Sequence, residues 1–250
     1  MKTMRLTACA GIAALALATH VLAAEGPPAP PKQRVAFAKG ASSTTIKGTL
    51  EGRSDIDYVV RAAAGQTLDV KLDASSGAND FNVLPPGSRD VAMYNSSMTG
   101  ERKYSGVLPS DGDYAIRVYL NRGAGRRGEA SKYTLTVSVT GKPLPPLPAA
   151  RDAKVAGTAY HATAQVKCVP PYESAETQCD AGVIRRGNDA TATVELRGKN
   201  NLVRRILFVQ GKLAATDSTD PASLSKQGDL NSVKVGSERY DVPDAFLTGG

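Results

Sequence analysis

The stretch DGDYAIRVYLNRGAGRR at 111–127 places Arg117, Arg122, Arg126 and Arg127 within eleven residues, the last three around Gly123 and Gly125. A guanidinium is a planar fork of donors that is always charged and pairs a carboxylate at two points. Arginines at this spacing are built to grip acidic groups. They are not acid–base catalysts, because a guanidinium does not give up its proton at ordinary pH.

The rest of the chain offers little for catalysis. It has two histidines, His20 and His161. His161 stands alone in GTAYHATAQV, where a strand carrying an exposed imidazole is expected. There is no GxSxG elbow and no HExxH pair, so neither a serine hydrolase nor a zinc hydrolase is supported. Asp111 and Asp113 flank Gly112 in a turn-like setting, where an aspartate ordinarily bonds nearby backbone. The reading is therefore a protein without catalytic residues, metal ligands or cofactor.

The start of the chain fixes the compartment. Lys2 and Arg5 precede an apolar run from Leu6 to Ala18, and VLA at 21–23 suits a cut after Ala23. That is the pattern of a cleaved secretory leader, 1–23. The run is too short for a good membrane span, and no second such run follows. The address is periplasmic. Without the leader two cysteines remain, Cys168 and Cys179, and an even count in an exported chain reads as a disulfide. Closing a loop of about 12 residues stabilises by roughly 2.8 kcal/mol in the chain-entropy account. Loss of Lys2 and Arg5 lowers the net charge from +7 to +5. Such a chain favours acidic partners, and no nucleic-acid motif accompanies the charge.

Proline divides the sequence. GPPAPPK at 26–32 is a stiff element in a tether over 24–32, and GKPLPPLP at 141–148 opens an extended linker over 141–151. Between them, 33–140 reads as short strands. TLDVKL (67–72) and YTLTVSV (133–139) alternate apolar and polar residues, and AAAGQ, SSGAND, PPGSRD and PSDGD supply turns. The expectation is all-β: an antiparallel β-sandwich of about eight strands, able to fold alone, followed by a second, smaller all-β domain at 152–250. Hairpin turns are expected there at Gln210-Gly211 and Gly236-Ser237.

The strand phase explains the arginines. Tyr114, Ile116, Val118 and Leu120 share the core face, so Ala115, Arg117 and Tyr119 point outward. Continued in phase, Arg122 would be buried, and an unpaired buried guanidinium is prohibitively costly. The strand must end near Asn121. Arg122 then opens an exposed loop, which Gly123 and Gly125 let bend.

Residues 34–139 resemble the periplasmic inhibitors of g-type lysozyme, through VAFAKGASSTTIKG, DYVVRAAAGQTLDVKL and LPSDGDYAIRVYLNRGAGRRGEASKYTLTV. The last stretch keeps a Gly-x-Tyr-x-x-Arg-Val framework with Arg122 and Arg126 after it. The resemblance implies a β-sandwich that blocks peptidoglycan cleavage by inserting loops into the lysozyme's cleft. It implies contacts by Asp111, Tyr114, Arg117, Arg122 and Arg126, with inward-pointing Tyr114 in support. The pattern departs at Ser110-Asp111-Gly112, where the family has Ser directly before Gly. AAAGQTLDV also resembles the pre-peptidase C-terminal module, which implies the alternative of a non-catalytic peptidoglycan- or glycan-binding unit. The C-terminal 98 residues resemble an uncharacterised domain of exported bacterial proteins, which implies no activity.

Overall fold

The structure, a computed structural model, describes residues 29–249. The leader and residues 24–28 of the tether lie outside the described residues. One sheet runs β1 (Lys32–Arg34), β3 (Asp55–Ala62), β8 (Gly112–Leu120), β5 (Asn79–Leu84), β6 (Tyr94–Asn95). The second runs β2 (Ser43–Glu51), β9 (Ala130–Thr140), β4 (Thr67–Ala74), β7 (Lys103–Val107). The pairing is antiparallel except that β1 lies parallel to β3. Two short helices, α1 (Ser96–Thr99) and α2 (Arg122–Arg126), sit at strand ends.

Period-two alternation does the folding here. Leu68, Val70 and Leu72 of β4 and Tyr133, Leu135 and Val137 of β9 meet Tyr114, Ile116 and Val118 of β8 in one buried cluster. Each such side chain contributes about 1.5–3 kcal/mol when removed from water. The two sheets are also tied by a polar clasp inside the core, where the Tyr58 and Tyr133 hydroxyls lie 2.7 Å apart. Tyr133 fits because Gly48 leaves room: a Cβ there would meet its hydroxyl oxygen at 2.3 Å.

The C-terminal half forms one eight-stranded sheet, ordered β14 (Lys212–Thr216), β13 (Val203–Val209), β12 (Ala192–Arg197), β11 (Thr177–Arg185), β10 (Ala162–Val169), β17 (Glu238–Pro243), β16 (Leu230–Val235), β15 (Ala222–Gln227). It curls around a second apolar cluster, and α3 (Asp244–Thr248) adds Phe246 and Leu247 to it. Gln210 and Gly211 both take positive φ between β13 and β14, as a tight hairpin requires. The Cys168–Cys179 disulfide joins β10 to β11 within this cluster. No helix among the described residues is long and apolar enough to cross a membrane.

The proline segment differs from a free linker. It is extended, yet Leu144 N–H donates to Ala64 O (2.9 Å) and Leu147 N–H donates to Arg185 O (2.8 Å). Prolines cannot donate, so the non-proline residues between them carry the attachment. His161 is buried rather than exposed: its Nδ1 accepts from Arg185 N–H (2.9 Å) and its Nε2 donates to Leu147 O (3.2 Å). Both ring nitrogens are spent on backbone, so the imidazole is a structural rivet.

Direct bonds also join the two halves. Thr193 Oγ1 donates to Pro109 O (2.7 Å), and Arg205 Nη2 donates to Pro86 O (2.8 Å). Arg205 belongs to a buried charge network in which Asp217 accepts from both Arg204 and Arg205, and Glu238 accepts twice from Arg204. Leu207, opposite Thr193 in register and on the same face, is fully buried although it belongs to neither apolar cluster. That face of the C-terminal sheet is covered.

Candidate functional site

β8 is the axis of the site. Paired on both sides, to β3 and β5, it keeps Tyr114, Ile116, Val118 and Leu120 inward and Ala115, Arg117 and Tyr119 on the outer face. Register places Arg117 between Asp57 of β3 and Asn82 of β5. Arg117 donates from Nε to Asp57 Oδ1 (2.7 Å) and from Nη2 to Asp57 Oδ2 (3.0 Å). This pairing holds the Arg117 guanidinium above its ordinary pKa. Tyr119 donates to Asn82 Oδ1 (3.2 Å).

At the end of β8 the chain turns as the phase argument requires, into a helical turn rather than an open loop. Asn121 caps it, its Oδ1 accepting from Ala124 N–H (3.0 Å). Ala124 and Gly125 are buried, while Arg122 and Arg126 are exposed. The two arginines are four residues apart and therefore share a helix face. Gly125 serves packing more than bending. A Cβ on Gly125 would stand 3.0 Å from the carbonyl oxygen of Gly52, in the turn between β2 and β3. Arg127 is drawn aside by Glu129, Nη2 to Oε1 2.6 Å.

Between the helical turn and the sheet lies a cleft of about 550 Å³ lined by Arg53, Asp55, Asn82, Arg117, Tyr119, Arg122 and Arg126, among others. A neighbouring hollow of about 640 Å³ shares Arg53, Asp55 and Arg117, so the groove continues across the sheet's outer face. Arg117 is neutralised by Asp57. Arg53, Arg122 and Arg126 make no salt bridge among the described residues. Burial raises the Asp55 carboxyl above its ordinary pKa, against the pull of Arg117. The cleft is thus cationic and suited to carboxylates.

The five expected contact residues are not in one place. Arg117, Arg122 and Arg126 line the cleft. Asp111 and Tyr114 lie toward the other end of β8, which at about 3.3 Å per residue separates Asp111 from Arg122 by roughly 30 Å. Tyr114 is fully buried, donates to Ser110 O (2.8 Å), and burial pushes its hydroxyl up to about 12. Asp111 accepts from Ala64 N–H (2.9 Å) and from Arg186 Nη1 (3.0 Å) of the C-terminal half. Its partners are thus distant in sequence, whereas a local backbone bond was expected. Asp113 likewise pairs with Arg34, at 2.8 Å. Sequence reasoning missed Arg53, Asn82 and Tyr119. Tyr119 was legible as outward-facing from the alternation, but nothing in the sequence ties Arg53 to Arg122.

No family model matches the chain. The inhibitor of g-type lysozyme of Escherichia coli (strain K12) is 30% identical over 108 residues, covering 42% of this chain and 78% of that protein. Among solved structures, Aeromonas hydrophila PliG, a periplasmic lysozyme inhibitor of g-type lysozyme, is 37% identical, with 45% of this chain and 98% of that chain covered and a TM-score of 0.42. The pre-peptidase C-terminal domain of Bacillus anthracis collagenase is 17% identical, with 46% and 100% covered and a TM-score of 0.32. By its identity to the Escherichia coli protein over most of that protein's length, the chain belongs to the family of inhibitors of g-type lysozyme.

Proposed function

We propose that this protein is a periplasmic inhibitor of g-type lysozyme, exported by a cleaved leader, which presents α2 to the lysozyme's active cleft. The observation that carries the reading is the pair Arg122 and Arg126, exposed on one face of a capped helical turn and free of salt bridges among the described residues. A muramidase cleft holds carboxylates for acid–base work. A desolvated guanidinium that meets one gains a charge-assisted hydrogen bond of about 1.5–3 kcal/mol. Two such anchors surrounded by sheet residues suit a protein–protein interface. Asp111 and Tyr114 support the strand that presents the turn, and Arg117 supports its outer face. The protein needs no catalytic residue of its own for this role.

The test is the clearing of a cell-wall suspension by a purified g-type lysozyme, with and without the full mature chain. The wild-type protein slows clearing, and Arg122→Ala or Arg126→Ala weakens lysozyme binding by about 2 kcal/mol or more at unchanged folding stability. Retention of the protein on walls without any slowing of clearing overturns the reading in favour of a wall-binding module.

A further inference from the structure

We infer that Arg53 is a third anchor of the cationic cleft. The inference rests on the inhibitor reading and adds a residue to it from a different part of the chain. Arg53 lies in the turn between β2 and β3, nearly seventy positions before Arg122. That turn is locked to the segment around α2. Gly52, in the left-handed region at φ +60°, donates its N–H to Glu129 O (2.9 Å), just beyond α2. Its carbonyl oxygen occupies the space where Gly125 lacks a Cβ. Within the turn, Ser54 Oγ donates to Glu51 O (2.6 Å) and accepts from Glu51 N–H (3.0 Å). The backbone that carries Arg53 is therefore fixed relative to α2.

Arg53 is exposed, lines the same cleft as Arg122 and Arg126, and makes no salt bridge among the described residues. Arg117 lines it too, but its Nε and Nη2 are committed to Asp57. Pulling Arg117 away would strand a buried carboxylate, which is costly. The guanidinium groups of this cleft that carry no ion pair among the described residues are thus those of Arg53, Arg122 and Arg126, brought together from two segments of the chain that pack against each other at Gly125. A cleft with three unpaired guanidinium groups fits a partner that brings more than one carboxylate, as an acid–base active site does.

The experiment is calorimetric titration of a purified g-type lysozyme with the full mature chain, at low and moderate salt. It compares wild type with Arg53→Gln, Arg53→Lys, Arg122→Ala and Arg89→Gln, the last in the neighbouring hollow but away from α2. Arg53→Gln is expected to weaken binding about tenfold or more with an unchanged melting temperature. Arg53→Lys is expected to recover only part, because an ammonium lacks the fork. If Arg122→Ala loses tenfold while Arg53→Gln binds like wild type, the role of Arg53 is overturned and the inhibitor reading stands. If neither substitution matters, or the chain does not bind the lysozyme, both fall. Equal losses for Arg53→Gln and Arg89→Gln that vanish with salt would mean long-range steering and would also overturn the anchor.

Discussion

Arg117 and Asp57 form a two-point ion pair across β3 and β8, with Asp57 only 3% exposed. An arginine expected on the outer face as a contact residue is thereby the counter-ion of a buried carboxylate. Arg117→Ala should cost about 3 kcal/mol of folding stability, because it leaves that carboxylate unpaired. Replacing both partners with neutral residues, Asp57→Asn with Arg117→Met, should recover a large share of the loss. Urea unfolding of the three proteins decides. A loss below about 0.5 kcal/mol for Arg117→Ala would place it with ordinary exposed residues.

Gly123 and Gly125 occupy the same helical turn but should respond differently to alanine. At Gly123 the nearest atoms to an added Cβ are 3.4 Å away, at the edge of ordinary van der Waals contact, and belong to the Arg127 and Asn121 side chains. Gly123→Ala should be neutral or stabilising by up to about 1 kcal/mol, as the helix propensity of alanine suggests. At Gly125 the obstacle is the Gly52 backbone, so Gly125→Ala should lower the melting temperature and weaken lysozyme inhibition together. Matching behaviour of the two variants would remove the packing role of Gly125.

Asp111 should behave as a latch between the halves. Asp111→Ala leaves Arg186, whose side chain has no exposed surface, without its carboxylate and leaves Ala64 N–H without an acceptor. A loss of about 2–4 kcal/mol is expected, with inhibition unchanged at temperatures where the variant is folded. The fragment 24–140 should likewise keep inhibition at reduced stability, since the cleft and its supporting core lie within it. Tenfold weaker inhibition by a fully folded Asp111→Ala protein would mark Asp111 as a direct contact instead.

The sandwich was legible because apolar residues alternate over whole strands, and the inward set of β8 follows from Tyr114, Ile116, Val118 and Leu120 alone. The end of the strand was legible for the same reason, since Arg122 could not continue it. What filled the space after it was not. A five-residue helix shows no periodicity to count, and Asn121 reads equally as a turn residue and as a cap. The partner of Arg117 was hidden because Asp57 lies sixty residues away and becomes its neighbour only through strand register. His161 misled because a lone imidazole in a strand looks solvent-facing until a second segment, here Leu147, is laid against it. The attachment of the proline segment was invisible for a related reason. Prolines announce an extended chain but not which carbonyls their neighbours will reach.

The length of β8 has a practical consequence. The strand is hydrogen-bonded to β3 over most of its length and to β5 over Ala115–Leu120, with the cationic turn at one tip and the Asp111–Arg186 bond at the other. The bonds that Asp111, Pro109 and Pro86 make to the C-terminal half lie toward the end of β8 away from α2. A support coupled to that half, for instance through exposed Lys212 or Lys226, would leave the arginines facing solution. The molecule is laid out as a handle and a head, and a sensor surface for lysozyme could be made by holding the handle.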